Sequence, residues 1–353
     1  MKALIVLLTC LTCYSYGLAP SPGCGQATES PQPGDHQWVS FIYEDKLLGP
    51  VERAFIIQIP PGYDDLKPLP MLFDVHWYGG SAGSHYDMSP FTQLGLDKNF
   101  ITVLPNSMHD TASGSGSWNC SSTYGPLGPI CDTNRDEWGY NECFDSCPLC
   151  DQRTSCDWTT CYDDIGFLEF VQDLVLDQWC IDMDSMHWSG ISNGGMLGWH
   201  VASSATKSMN FKTFHTVAAS PNYGFGMPPM DSTPRLSIID MHGEQDTLIP
   251  VDENSSSGFS PEGELMSRSG SYYFPKAKLM EFWGQAMGCD EHEHIYATPY
   301  DGQNGLVCMQ RRCPGGPGDN VLVRCQGDWG HEYPLPSNTN IAAEIAYEIM
   351  MRK

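Results

Sequence analysis

Runs of apolar residues alternate along the chain with segments whose apolar residues recur at helical spacing. The apolar runs predict strands over 38–43, 53–59, 70–77, 100–105, 186–192, 214–220, 235–243 and 320–325. Helical spacing predicts helices that begin near Asp163 and at Asn193, a third over 275–287, and a last one close to the C-terminus. Strands that alternate with helices predict an α/β fold, with a mostly parallel central sheet covered by helices on both faces.

One segment interrupts this rhythm. Residues 120–161 are rich in cysteine, glycine and serine and lack periodicity, which predicts a Cys-rich loop insertion in a single domain over 36–353. Pro, Gly and Ser in 18–35 predict an irregular N-terminal segment. Residues 1–17 predict a signal peptide, because a lysine precedes a short apolar stretch and small residues.

Composition bears on the compartment and the partners. The 353-residue chain has a formal net charge of -25, which disfavours nucleic acid and anionic membranes as partners. Of its 15 cysteines, Cys10 and Cys13 fall in the predicted signal peptide, which leaves an odd number. We therefore expect a secreted, extracellular monomer with disulfide bonds, in which one cysteine is left as a free thiol, with pairing between chains as the alternative. Asn119 and Asn254 begin sequons for N-glycosylation.

The stretch "SGISNGGM" at 189–196 places Ser192 between Gly190 and Gly194. The serine falls where a predicted strand gives way to a predicted helix, and small neighbours permit the sharp turn that exposes a nucleophile there. The N-terminal N–H groups of the following helix would face a developing oxyanion. Ser192 is therefore a candidate nucleophile, and a glycine-rich structural turn is the alternative.

A neutral serine needs a histidine base, and the histidine needs a carboxylate to orient it. Asp246 follows the predicted strand 235–243, and His331 follows the strand 320–325. Both positions are carboxyl ends of strands, where open α/β sheets place their sites. Asp252 and Glu253 are alternative acids that lie further from the strand end. His242 we expect to pack beneath the loop that carries the acid.

An oxyanion hole needs two converging donors. We expect the Asn193 N–H to be one, because Asn193 directly follows the candidate nucleophile. The second is expected in the loop "HWYGG" after strand 70–77, with the Tyr78 N–H favoured over Gly79. Three tryptophans also lie in predicted loops at this edge and would contact substrate if exposed, with loop packing as the alternative: Trp77, Trp118 and Trp329.

Two clusters raise the question of a metal. Closely spaced cysteines in the insertion could hold zinc, but in a secreted chain disulfides are the expected outcome. His292 and His294 lie one residue apart and lack an obvious third ligand. The sequence therefore predicts no metal and no cofactor.

Several motifs together resemble one family. The chain from about Arg53 onward is similar to secreted polyhydroxybutyrate depolymerases and feruloyl or acetylxylan esterases. The resemblance rests on "RAFIIQIPPGYDD", "DVHWYGGSAG", "SWN", "DDIGFLEFV", "SGISNGGM", "HGEQDTLIP", "FWGQAMGC" and "GHEYP". It implies an α/β-hydrolase fold without metal, hydrolysis of carboxylic esters, and a triad at Ser192, Asp246 and His331. One departure is Trp77, since the family usually has glycine after the histidine of the oxyanion loop.

We therefore expect a secreted serine esterase that acts on a polymeric or polymer-derived ester. Its substrate would be feruloyl or acetyl esters of plant or algal polysaccharide, or polyhydroxyalkanoate polyester. Two alternatives remain open: a non-catalytic secreted polymer-binding protein on the same fold, and a serine peptidase. A serine-reactive phosphonate would separate the binder from the enzymes, and casein digestion would reveal a peptidase.

Overall fold

The computed structural model describes residues 19–26, 30–109, 115–120, 124–125, 128–129, 132, 144–147, 159–204, 209–230, 233–314, 320–334 and 340–351. The predicted signal peptide and most of the predicted Cys-rich insertion lie outside these residues. The domain boundaries proposed from the sequence therefore stay a prediction.

Ten strands of the described residues form one sheet. They are β1 (His36–Asp45), β2 (Gly49–Gln58), β3 (Leu69–Val75), β4 (Ile101–Pro105), β5 (Ile181–Ile191), β6 (Thr213–Val217), β7 (Ser237–Gly243), β8 (His294–Ile295), β9 (Val307–Cys313) and β10 (Asn320–Gly327). The helices are α1 (Ala82–Met88), α2 (Pro90–Lys98), α3 (Asp164–Gln178), α4 (Asn193–Ser203), α5 (Lys276–Met287) and α6 (Asn340–Met350).

The order of the strands across the sheet is β1-β2-β4-β3-β5-β6-β7-β10-β9-β8. The six neighbouring strands in the middle of the sheet run parallel to one another: β4, β3, β5, β6, β7 and β10. The strands β1 and β2 at one edge, and β9 and β8 at the other, pair antiparallel. Parallel neighbours place their carboxyl ends at one edge of the sheet. The turns after β3, β5, β7 and β10 therefore meet there.

The sheet is covered on both faces, as the sequence predicts. Consecutive side chains of a strand point to opposite faces, and in β3 Phe73 packs in the cluster that includes α3, α4 and α5 while Leu72 packs with α2 and α6. Every side chain of β4 is buried. Such strands consist mostly of apolar residues because neither face meets water.

Local sequence explains where the helices begin. Asp163 caps α3 by accepting a hydrogen bond from the Gly166 N–H at 3.1 Å. The helices α1 and α2 are not among the predicted elements, although both carry start signals. Ser81 closes a capping box on α1, and Ser89 caps α2, whose first residue is Pro90.

Several further elements differ from the predictions. Strand β5 begins at Ile181, five residues earlier than predicted, and β6 ends at Val217, since Ala218 adopts a positive φ of 48°. A three-stranded sheet (Gly258–Phe259, Leu265–Met266 and Tyr272–Tyr273) was not predicted either.

Disulfides fasten the periphery. Cys24 is bonded to Cys180, which ties the irregular N-terminal segment to the start of β5. Two more bonds, Cys289–Cys313 and Cys308–Cys325, join the end of α5 to β9 and β9 to β10. Among the described residues no helix is long and apolar enough to cross a membrane.

Candidate active site

Ser192 occupies the turn between β5 and α4 in a rare backbone conformation. Its φ is 54° and its ψ is -123°, outside the regions that residues with a side chain ordinarily adopt. The Ser192 N–H donates to the Val217 carbonyl at 2.9 Å, and the Ser192 carbonyl accepts the Met196 N–H. A strained residue persists only where surrounding contacts fix it, and such residues cluster at functional sites.

Glycines make this turn possible. A Cβ on Gly190 would lie 2.5 Å from the Gly194 carbonyl oxygen, and a Cβ on Gly194 would lie 2.3 Å from the Val75 oxygen. Any side chain at either position would push α4 away from β3 and β5. Gly190 and Gly194 are therefore needed for close packing on both sides of Ser192.

A continuous chain of hydrogen bonds joins three residues predicted from the sequence. Ser192 Oγ lies 2.8 Å from His331 Nε2, and His331 Nδ1 lies 2.8 Å from Asp246 Oδ2. A carboxylate can only accept, so Nδ1–H donates to Asp246 and Nε2 accepts the serine hydroxyl. The Asp246 side chain is fully buried, whereas His331 keeps 22% of its side chain exposed.

The surroundings of Asp246 stabilise its charge. Its Oδ1 accepts the N–H groups of Leu248 and Ile249, both at 2.9 Å. His242 Nε2 lies 3.0 Å from Oδ2, the oxygen that also binds His331. Burial acts to raise the pKa of the Asp246 carboxyl, but the hydrogen bonds from His242 and His331 outweigh burial and hold that pKa well below its usual range.

The alternative acid, Asp252, has a different task. Its Oδ1 accepts the N–H groups of Asn254 and Ser255 at 2.9 and 3.1 Å, so it caps a local turn. Glu253 is exposed. The structure therefore brings Asp246 to His331, and the contacts of Asp252 lie within its own turn.

The two proposed oxyanion donors lie on different elements. Asn193 is the first residue of α4, where backbone N–H groups lack intrahelical partners. On the other element, the Gly79 N–H donates to the Gly116 carbonyl at 2.7 Å and the Gly80 N–H to the Trp77 carbonyl at 3.1 Å. The Gly79 N–H is thus engaged by the Gly116 carbonyl, and the Tyr78 N–H stays the predicted second donor.

His76 holds the same loop from beneath. Burial lowers its pKa to about 3, so the ring is neutral at ordinary pH. Nδ1 donates to the Trp77 carbonyl at 2.8 Å, and Nε2 accepts the Ser107 N–H at 3.1 Å. Trp77 itself has no positive φ, and the left-handed conformation falls on Gly79 with a φ of 76°. A tryptophan in place of the usual glycine therefore costs no backbone strain.

Of the two possibilities that the sequence left open for the loop tryptophans, exposure or loop packing, the structure shows packing for two of the three. Trp118 is 0% exposed and Trp329 is 2% exposed, while Trp77 is half-buried. The Trp118 ring is held inside by its indole N–H, which donates to the His76 carbonyl at 2.9 Å. Trp329 packs over Gly327 and Gly243, where a Cβ would collide with it.

The structure gives two residues, His242 and Asp164, contacts near the candidate site that the sequence did not predict. His242 does lie beneath the acid loop, but its Nε2 also contacts Asp246 Oδ2 directly, because the turn after β7 brings the carboxylate back over the end of the strand. The sequence assigns no role to Asp164, the second residue of the "DDIGF" motif. Its side chain forms a fully buried ion pair with Arg53 at 2.6 Å.

The described cysteines and sequons add further detail. Cys147 is bonded to Cys161 inside the predicted insertion, and Cys120 is a buried free thiol. Cys131, Cys143, Cys150 and Cys156 lie outside the described residues. The side-chain amide of Asn119 donates to the Tyr162 carbonyl at 2.8 Å. No cluster of metal-binding side chains occurs in the part of the chain that the structure describes.

The strand order and the strand–turn–helix unit at Ser192 define an α/β-hydrolase fold. The chain is 23% identical over 243 residues to feruloyl esterase C of Emericella nidulans. The match covers 66% of this chain and 65% of the relative, so the chain spans less than two thirds of that protein's length. This match confirms the resemblance to feruloyl esterases that the motifs indicated.

No protein-family model matches the chain. Among solved structures, an acetyl xylan esterase from Aspergillus awamori is 15% identical with a TM-score of 0.49, covering 87% of this chain and 97% of that one. An S-formylglutathione hydrolase from Agrobacterium tumefaciens is 12% identical with a TM-score of 0.45, covering 91% and 97%. The fold assignment rests on the strand order of the chain itself.

Proposed function

We propose that the chain is a serine carboxylic-ester hydrolase with Ser192 as nucleophile, His331 as base and Asp246 as the acid of the triad. The observation that carries this proposal is the unbroken hydrogen-bond chain from Ser192 Oγ through His331 to Asp246, with Ser192 strained at the head of α4. Residues of these types in this geometry perform acyl transfer on unrelated folds.

The geometry supports a two-step reaction. Ser192 Oγ attacks the ester carbonyl while its proton passes to His331 Nε2, and Asp246 stabilises the resulting imidazolium. The tetrahedral oxyanion is bound by the N–H groups of Asn193 and Tyr78. His331 then protonates the departing alcohol, which leaves an acyl-serine. Water, deprotonated by His331, attacks that acyl group, and carboxylate and free serine are released.

The substrates that we propose are feruloyl or acetyl esters of plant or algal polysaccharide, with polyhydroxyalkanoate polyester as the second class. Support comes from the similarity to a feruloyl esterase and from the motifs shared with that esterase family. Trp118 and Trp329 are buried and contribute no exposed aromatic surface, so of the tryptophans considered the half-buried Trp77 remains the candidate for contact with an acyl group. No cofactor takes part in this chemistry.

We also propose that the protein acts outside the cell. Four disulfides join described cysteines: Cys24–Cys180, Cys147–Cys161, Cys289–Cys313 and Cys308–Cys325. Disulfides of this kind form and persist in oxidising compartments and are rare in the reducing cytosol. The predicted signal peptide agrees with this placement.

Hydrolysis by matched serine variants tests the proposal. The substrates are p-nitrophenyl acetate, methyl ferulate, acetylated xylan and a polyhydroxybutyrate film. Ser192→Ala should lose roughly 10⁴-fold or more of kcat. Ser189→Ala is the control, because Ser189 lies on β5, the strand that leads to Ser192, and its Oγ also lies 3.1 Å from a buried histidine, His215 of β6. Activity retained in folded Ser192→Ala and lost in Ser189→Ala would contradict the assignment.

A further inference from the structure

A short segment touches both elements that supply the proposed oxyanion donors. We call Gly116–Cys120 the clamp segment. Its Gly116 carbonyl accepts the Gly79 N–H at 2.7 Å, and its Trp118 indole N–H donates to the His76 carbonyl at 2.9 Å. These two bonds grip the loop after β3 on either side of Tyr78.

The same segment holds the residue after the nucleophile. Asn193 Oδ1 accepts the Trp118 N–H at 2.7 Å, and Asn193 Nδ2 donates to the Trp118 carbonyl at 3.2 Å. Nδ2 also lies 2.9 Å from Cys120 Sγ. Asn193 and Trp118 are both fully buried. The side-chain amide of Asn193 thus bonds to the clamp segment, and the backbone N–H of Asn193 is the group that we expect to bind the substrate.

The clamp segment is itself anchored by a buried ion pair. The Asn119 N–H donates to Asp164 Oδ2 at 2.7 Å, while Asp164 Oδ1 lies 2.6 Å from Arg53 Nη2. Both charged side chains are 0% exposed, and the Arg53 guanidinium stacks 3.7 Å from the centre of the Phe167 ring. An ion pair with no access to water holds one geometry, because losing either partner leaves an uncompensated buried charge.

We propose that the clamp segment, anchored by Asp164, is the device that sets the distance between the two oxyanion donors. Asp164, Trp118 and the Asn193 side chain are then positioning residues that touch no substrate. This inference rests on the proposed esterase function. Each donor sits on its own loop or helix end, and a misplacement of roughly 1 Å in such a site costs up to about 100-fold in rate. A shared clamp removes that freedom.

The alternative is that these contacts only stabilise the fold. Trp118→Phe separates the two when it is compared with a matched variant, because it keeps an aromatic ring in the buried site but removes the bond to the His76 carbonyl along with part of the ring volume. Trp283→Phe is the matched control: the Trp283 indole N–H donates to the Gly226 carbonyl at 2.9 Å in an equally buried site on α5. The two variants should lower Tm by similar amounts.

Kinetics and inhibitor binding then provide the decisive readout. A trifluoromethyl ketone forms a tetrahedral adduct on Ser192 whose oxyanion needs the hole, whereas the matching methyl ketone binds as a ground-state mimic. We expect Trp118→Phe to lose at least roughly 10-fold in kcat/KM for p-nitrophenyl acetate and a similar factor in trifluoromethyl ketone affinity. In Trp118→Phe the methyl ketone affinity and the pH dependence of kcat/KM should stay as in the wild type. The control Trp283→Phe should match the wild type in all of these measurements.

Asp164→Asn tests the anchor. An asparagine oxygen can still accept the Asn119 N–H, but Arg53 loses its counter-charge, so the same pattern of losses is expected with a larger fall in Tm. One result would overturn the inference and leave the proposed function standing. In that result the wild type is active, and Trp118→Phe stays within about twofold of it in both kcat/KM and trifluoromethyl ketone affinity. A folded wild type that hydrolyses no ester and binds no trifluoromethyl ketone overturns the function as well.

Discussion

His242 Nε2 lies 3.0 Å from Asp246 Oδ2, inside a site where neither side chain meets solvent. The same oxygen accepts the His331 Nδ1–H, so two imidazoles converge on one carboxylate oxygen. A buried carboxylate that accepts several N–H groups stays charged and held in place. We therefore expect His242 to influence the proposed reaction through Asp246.

Replacing His242 should slow turnover only while Asp246 is present. His242→Phe removes the N–H that lies between Asp246 Oδ2 and the Ile249 carbonyl. We expect a loss of roughly 10- to 100-fold in kcat, since a buried hydrogen bond to a charged group contributes about 1.5–3 kcal/mol. In the Asp246→Asn background the same change should add little. Initial rates on p-nitrophenyl acetate complete the double-mutant cycle. His242→Gln, which keeps a donor, should recover part of the rate.

Equal losses from His242→Phe in both backgrounds would contradict this account. In that case the histidine would stabilise the surrounding loop without acting through the carboxylate.

The sequence predicted the candidate triad because each member follows a strand whose hydrophobic pattern is plain. Ser192 follows an apolar run with glycines on both sides, and Asp246 and His331 follow two more. The contact of His242 with Asp246 could not be predicted in the same way. It depends on how the turn after β7 folds back, so that Asp246 returns over the end of its own strand.

The burial of Trp118 depends on partners that lie far away in the sequence. Its position after a glycine-rich stretch indicated a surface loop, but its indole binds His76 and its backbone binds Asn193, which are 42 and 75 residues away. The helices α1 and α2 were missed for a different reason. They are short, with 7 and 9 residues, and their apolar positions are too few to establish a helical period.

The assignment of the acid predicts a clear ranking of two aspartates. Asp246→Asn should lower kcat by roughly 10⁴-fold, because an amide can donate to His331 and so favours the wrong tautomer. Asp252→Asn should stay within about twofold, since its carboxylate only caps the turn at Asn254 and Ser255. Steady-state kinetics of both purified variants give the answer, and the opposite ranking would move the acid to Asp252.

Two buried histidines predict a loss of stability in mild acid. Burial lowers the pKa of His187 to about 3 and that of His215 to about 4, from an ordinary 6.5. Below pH 6.5 these two histidines bind protons in the unfolded chain but stay neutral in the folded chain. Stability is therefore full above that pH and falls as the pH drops towards 4, by about 1.4 kcal/mol per pH unit for each histidine.

Urea unfolding at a series of pH values checks this effect. The variant His187→Leu cannot take up the proton, so its free energy of unfolding should fall less steeply between pH 6 and pH 4, by about 1 kcal/mol per pH unit. The substitution also changes the overall stability, but such an offset leaves the slope unaltered. Parallel curves for the variant and the wild type would show that His187 is protonated alike in both states.

Covalent labelling tests the central claim most directly, because it needs no knowledge of the natural substrate. A fluorophosphonate loses fluoride and bonds to a serine oxygen only where a base and an oxyanion hole activate that oxygen. The account predicts a single adduct by intact mass, located by peptide mapping on Ser192, that is retained in Ser189→Ala and absent from Ser192→Ala. A folded wild type without an adduct, or an adduct that persists in Ser192→Ala, would contradict it.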